Sequence, residues 1–124
     1  MINFNEIEWH DVAIKKFEIN RDNPGHFDTI SFVLEKDSNL YKLSFHEVYQ
    51  VTANLNFAVI PVEGKETINY GYSEENNENE FVNKIRCKWN GCLDKTPLKY
   101  YEIETNSTYS MYQIVAVSFT YERL

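Results

Sequence analysis

Each of the three histidines in this chain has a carboxylate within two residues, as His10-Asp11, His26-Phe27-Asp28 and His46-Glu47. Imidazole and carboxylate suit zinc or iron when three or four such ligands converge. The same pairing can also make a general base, the second group orienting the ring. His10, Asp11, His26, Asp28, His46 and Glu47 are thus the candidates for a small metal-dependent or histidine-based enzyme. Their facing opposes convergence. His46 falls on the polar parity of a long alternating stretch, away from Leu43 and Phe45, and His26 follows Pro24-Gly25 in a turn. Only His10 shares parity with Val12 and Ile14 and could point inward. Neither H-x-H nor H-E-x-x-H spacing is present. Three histidines with no common role are expected, with Trp9-His10-Asp11 opening the first strand and Trp9 packing over one end of the core.

The two cysteines stand in Cys87-Lys88-Trp89-Asn90-Gly91-Cys92. A separation of four residues is permissible for a zinc pair, but no second cysteine pair or paired histidine completes the set. A disulfide would close a loop of about six residues and contribute on the order of 2 kcal/mol, and a reducing compartment opposes it. A nucleophilic thiol would need a base that the sequence does not reveal. Free structural thiols are expected. Asn106-Ser107-Thr108 matches a glycosylation acceptor, yet its short polar side chains are explained by turn chemistry. There is no G-x-S-x-G, no phosphate-binding glycine loop and no Rossmann fingerprint. No enzyme and no cofactor are expected.

The remaining candidate is electrostatic. Glu74, Glu75, Glu78 and Glu80 lie in Ser73–Glu80 (SEENNENE) with no basic residue among them, in a chain of formal charge −7. The composition predicts a mobile acidic loop. Acidic surface repels nucleic-acid phosphates and anionic membranes, which excludes those partners from the expectation. A basic protein partner is the complement, met and steered by these four glutamates. The same charge also keeps a small domain in solution.

Elements must position all of these groups, and the chain of 124 residues is read as one all-β domain, residues 1–124. From Tyr41 to Val59 odd positions are mostly apolar and even ones mostly polar, which is the signature of one-sided burial of extended chain. That length predicts two successive strands or one long strand bent at Glu47. Val115, Val117, Phe119 and Tyr121 repeat the pattern, and Tyr101 and Ile103 alternate with Glu102 and Glu104 across a Thr105-Asn106-Ser107-Thr108 turn. Near the start, Val12 and Ile14 change parity with Phe17 and Ile19, predicting a β-bulge at Lys15-Lys16. Ile30, Phe32 and Leu34 continue after a type II turn at Asn23-Pro24-Gly25. Pro61-Val62-Glu63-Gly64 ends the long stretch, and Thr67-Ile68-Asn69-Tyr70 is read as a short strand. Phe81, Val82 and Ile85 have helical spacing before an Asn90-Gly91 stop. About seven strands and at most one or two short helices predict an antiparallel β-sandwich or partly open barrel. No apolar run approaches the roughly 18 residues of a membrane span, and MINFNEIEWHD lacks the regions of a signal peptide. A cytoplasmic location is expected.

Trp9-His10-Asp11, Asp28-Thr29-Ile30, Asn56-Phe57 and Glu102–Thr108 (EIETNST) occur in succession along most of the chain. In this the chain resembles a group of small, uncharacterised bacterial all-β proteins, some of them suspected immunity proteins that neutralise a toxin by binding it. The resemblance implies a stand-alone β protein and carries over no catalytic residue. The leading expectation is a non-enzymatic binding module with an acidic surface for a basic partner such as a toxin. The alternatives are the histidine-based enzyme and a structural homo-oligomer joined through exposed strand edges.

Overall fold

Among the described residues the alternating stretches become six strands, β1 (Ala13–Asn20), β2 (Thr29–Lys36), β3 (Asn39–Asn54), β4 (Ile68–Glu74), β5 (Lys99–Thr105) and β6 (Met111–Arg123). A 3-10 turn, Phe4–Glu6, precedes them, and a helix, α1 (Glu80–Lys88), lies between β4 and β5. The computed structural model describes residues 2–57, 60–61, 64–75 and 79–124. Val59, Val62, Glu63 and Glu78, named above, lie outside the described residues.

All strands join one antiparallel sheet in the order β1-β2-β3-β6-β5-β4. Among the described residues there are six strands in a single sheet, which bears out the all-β class and shows neither a seventh strand nor a sandwich. Period-two alternation says which face of a strand is apolar, and leaves open what covers that face. Here the sheet's two edge strands meet at one place. Ala13 bridges Thr67, with Ile14 N–H donating to the Glu66 carbonyl and Ile68 N–H to the Val12 carbonyl, each at 2.8 Å. Beyond this bridge the N-terminal turn covers the edge of β4. The Asn5 side chain accepts from Ser73 N–H at 2.8 Å and donates to the Ser73 carbonyl at 3.1 Å, as a neighbouring strand would.

One face carries the main core: Ile30, Phe32 and Leu34 of β2, Leu43 and Phe45 of β3, Tyr101 and Ile103 of β5, and Tyr112 and Ile114 of β6. Phe4 seats among them, its ring 5.1 Å from those of both Trp9 and Tyr101 and 5.2 Å from Phe119. Tilted and edge-on pairs of this kind add about 0.5–1.5 kcal/mol each beyond area burial. Trp9 is buried, as expected, and lies against Gly71, where a Cβ would come within 2.7 Å of Trp9 Cζ2. On the opposite face, Val82 and Ile85 of α1 join Leu93 and Leu98 over Tyr100 and Val115.

Local irregularities fall where residue types foretell them. The β1–β2 register shifts between Ile14 and Lys16, the expected bulge. The long stretch is one strand of 16 residues, β3, bent at Glu47, whose φ is 52°. Its register against β6 shifts between Val48 and Gln50. Asn79 caps α1 by accepting from Phe81 N–H at 2.9 Å and Val82 N–H at 3.2 Å. Asn90 and Gly91, at φ 49° and 90°, end it. In the β5–β6 hairpin, Thr105 N–H donates to the Ser110 carbonyl at 3.0 Å and Ser110 N–H to Thr105 Oγ1 at 2.9 Å, closing the Asn-Ser-Thr turn. Thr108 Oγ1 donates to the Glu66 carboxylate and Ser107 Oγ to the Lys65 carbonyl. No helix among the described residues is long and apolar enough to cross a membrane.

Candidate functional site

The six histidine-pair residues divide among three places. His10 Nε2 lies 3.2 Å from Asp11 Oδ2, with both side chains largely exposed. They sit in a turn closed by Val12 N–H donating to the Trp9 carbonyl at 3.1 Å. The first strand therefore begins at Ala13, later than expected, because Asp11 adopts φ 61° and cannot continue an extended chain. His46 lies at mid-strand, where its Nε2 is 3.0 Å from Thr120 Oγ1 across the β3–β6 pair. His26, Asp28 and Glu47 come together. Among the described residues, no group of three His, Cys, Asp or Glu side chains could hold a metal ion.

The place where His26, Asp28 and Glu47 meet is a cleft of about 310 Å³ at one end of the sheet. The β1–β2 loop contributes Arg21, Gly25, His26, Phe27 and Asp28, the bend of β3 contributes Glu47, Val48 and Tyr49, and the end of α1 contributes Trp89. The loop is built from its own turn: His26 N–H donates to the Asn23 carbonyl at 2.9 Å, and Gly25 takes φ 86°, as the predicted type II turn requires. Asp28 then braces it. Its Oδ2 accepts from Gly25 N–H at 3.1 Å and lies 3.3 Å from Arg21 Nη2. The Gly25 hydrogen bond, with the Arg21 guanidinium beside it, holds the Asp28 carboxyl below its usual value against a smaller opposing effect of burial. Val48 N–H donates to the Asp28 carbonyl at 3.0 Å and so fastens the loop to the bend.

Two residues of the cleft hold left-handed backbone without being glycine, Phe27 at φ 58° and Glu47 at φ 52°. Such a conformation costs about 1–2 kcal/mol for an L-residue and persists only where surrounding structure dictates it. Phe27 is 76% exposed and Trp89 50% exposed, both large apolar groups left to solvent. Tyr49 meets the Trp89 ring edge-on, centroids 6.3 Å apart. Among the described residues the Glu47 carboxylate makes no hydrogen bond and no ion pair, although Arg21 and His26 line the same cleft. Sequence reasoning passed over Arg21, Phe27, Tyr49 and Trp89. The available signal was a phenylalanine in a polar turn and a tryptophan just before the Asn90-Gly91 helix stop.

The acidic run is not one loop. Glu74 belongs to β4 and accepts from Tyr72 Oη and Asn79 Nδ2, each at 3.1 Å. Glu75 lies 3.3 Å from Lys99 Nζ, and Glu80 occupies the first turn of α1, where it suits the helix dipole. Glu102 and Glu104 extend the acidic surface from β5, opposite Tyr72 and Tyr70 of β4. Glu102 accepts from the hydroxyls of Tyr70 and Tyr100, and Glu104 from Asn69 Nδ2 at 2.9 Å. Burial and the bond to Glu102 push the Tyr70 and Tyr100 phenols well above the usual tyrosine value. The alternation of Glu102 and Glu104 with Tyr101 and Ile103 was the sequence signal for this face. Cys87 and Cys92 are both exposed and free.

Comparison of the chain with protein-family models, with curated proteins and with solved structures finds no match.

Proposed function

We propose that this protein is a non-enzymatic binding module that recognises a basic protein partner through its acidic surface. One observation carries the reading. Glu74, Glu102 and Glu104 are held by the phenols and amides of Tyr72, Asn79, Tyr70, Tyr100 and Asn69, and among the described residues no cation pairs with any of them. Their charge is thus set in place by neutral donors and left for an incoming cationic surface, which costs little reorganisation on binding. Glu75 and Glu80 flank this surface, and Glu78 belongs to the same run. The resemblance to small bacterial all-β proteins supports an immunity-type role, with a toxin as the partner. Free thiols at Cys87 and Cys92 are in keeping with a reducing cytoplasm.

The test is capture of partners from lysate of the source organism by tagged protein at low and high salt. A variant with Glu74, Glu75, Glu78 and Glu80 changed to Gln, and a second with Glu102→Gln and Glu104→Gln, run beside it. A stoichiometric basic partner, released by salt and weakened in both variants, is the expected result. A partner held equally by all three proteins would remove the acidic surface from the interface.

A further inference from the structure

We propose that the cleft between the β1–β2 loop and the bend of β3 is a receptor for an arginine side chain of the protein partner. This rests on the reading of a basic partner and gives it a specific anchor, away from the glutamates of β4 and β5. The cleft's volume, about 310 Å³, lies at the lower limit for small-molecule sites, which suits one inserted side chain better than a cofactor. Of its two carboxylates only Asp28 is ion-paired: its Oδ2 lies 3.3 Å from Arg21 Nη2, while its buried Oδ1 has no hydrogen-bond partner among the described residues. The Glu47 carboxylate makes no hydrogen bond and no ion pair among the described residues. Its apolar lining is Val48 and three aromatic side chains, Phe27, Tyr49 and Trp89.

One open carboxylate beside exposed aromatic rings matches the chemistry of a guanidinium. Arginine stacks its planar, weakly hydrated cation on rings while its N–H groups bond a carboxylate. Lysine offers a more strongly hydrated point charge and gains less from stacking. An anionic ligand would meet Glu47 and Asp28, and a purely apolar one would leave Glu47 desolvated and unpaired.

The test is NMR titration of the full chain with Nα-acetyl-L-arginine amide and, separately, with its neutral citrulline counterpart. The Trp89 indole signal, identified by Trp89→Phe, and the Glu47 and Phe27 amides should shift saturably with the arginine probe. Citrulline should bind at least about tenfold more weakly, and Glu47→Gln should weaken arginine by a similar factor while the remaining spectrum is preserved. Equal binding of the two probes, or binding indifferent to Glu47→Gln, would overturn the proposal. So would arginine-induced shifts confined to Glu74, Glu75, Glu80, Glu102 and Glu104, an outcome that leaves the acidic-surface reading standing. Conversely, shifts in the cleft with no salt-sensitive partner in the capture experiment would keep the arginine site and remove the broader interface.

Discussion

Glu47 occupies left-handed backbone in the middle of a strand, and nothing in the chain bonds its carboxylate among the described residues. Glycine adopts this conformation freely, at an entropic cost of about 0.5–1 kcal/mol, against about 1–2 kcal/mol of steric cost for an L-residue. Glu47→Gly is therefore expected to stabilise the fold by roughly 0.5–1 kcal/mol, read as a higher urea midpoint at unchanged slope. A lower midpoint would mean that the glutamate supports the bend. Asp28 makes the opposite contribution. Its carboxyl is held below the ordinary value, so the native state binds its proton less readily than the unfolded chain does. The stability it adds is complete above the ordinary aspartate pKa, about 3.9, and fades as pH falls through the lower native value. Hydrogen exchange at the Gly25 amide should report this loss on acidification. In Asp28→Asn the Gly25 amide should already exchange faster at neutral pH and lose that acid dependence.

At the scale of single elements, α1 depends on its first residue. Asn79→Ala removes the acceptor for Phe81 and Val82 N–H and should cost about 1 kcal/mol, seen in thermal unfolding followed by circular dichroism. It also deprives Glu74 of one donor, so helix capping and the position of an acidic group are linked. Elements of this kind were legible because local chemistry decides them: the parity change at Lys15, the break at Glu47, the Asn90-Gly91 stop and the Asn106–Ser107 turn each act within a few residues. The acidic run misled for a related reason. Ser73 and Glu74 read as loop by composition, yet pairing with Tyr101 and Tyr100 makes them strand, and that pairing is not local. Trp9-His10-Asp11 resembles a strand start by parity alone, because alternation cannot register a left-handed Asp11. The cleft was half legible: His26, Asp28 and Glu47 stood out as titratable groups, but only the contact between the β1–β2 loop and the β3 bend brings them together.

At the scale of the whole molecule, the sheet's free edges are handled by small devices. The Ala13–Thr67 bridge joins β1 to the start of β4, and Asn5 occupies the edge of β4 at Ser73. Trp9 fits here only because Gly71 has no Cβ. Gly71→Ala should cost about 1–3 kcal/mol by overpacking. It should also raise exchange at the Ile14 and Ile68 amides more than at β3–β6 amides, and red-shift tryptophan emission. Uniformly faster exchange would mean that the edge contact and the central strands open as one unit.

The bridge between β1 and β4 has a bearing on time as well as on stability. Ala13 and Thr67 are distant in the chain, while the β1–β2, β2–β3 and β5–β6 hairpins form from neighbours. The partners in the β3–β6 pair are further apart still, but they are laddered along nearly the whole of β3. Closing the Ala13–Thr67 contact costs loop entropy that its two hydrogen bonds alone do not offset. The seam should consequently zip last in refolding. Trp9 is the clock for that event: its burial should trail the appearance of β structure as a separate, slower fluorescence phase, and Gly71→Ala should slow that phase while leaving the earlier one unchanged.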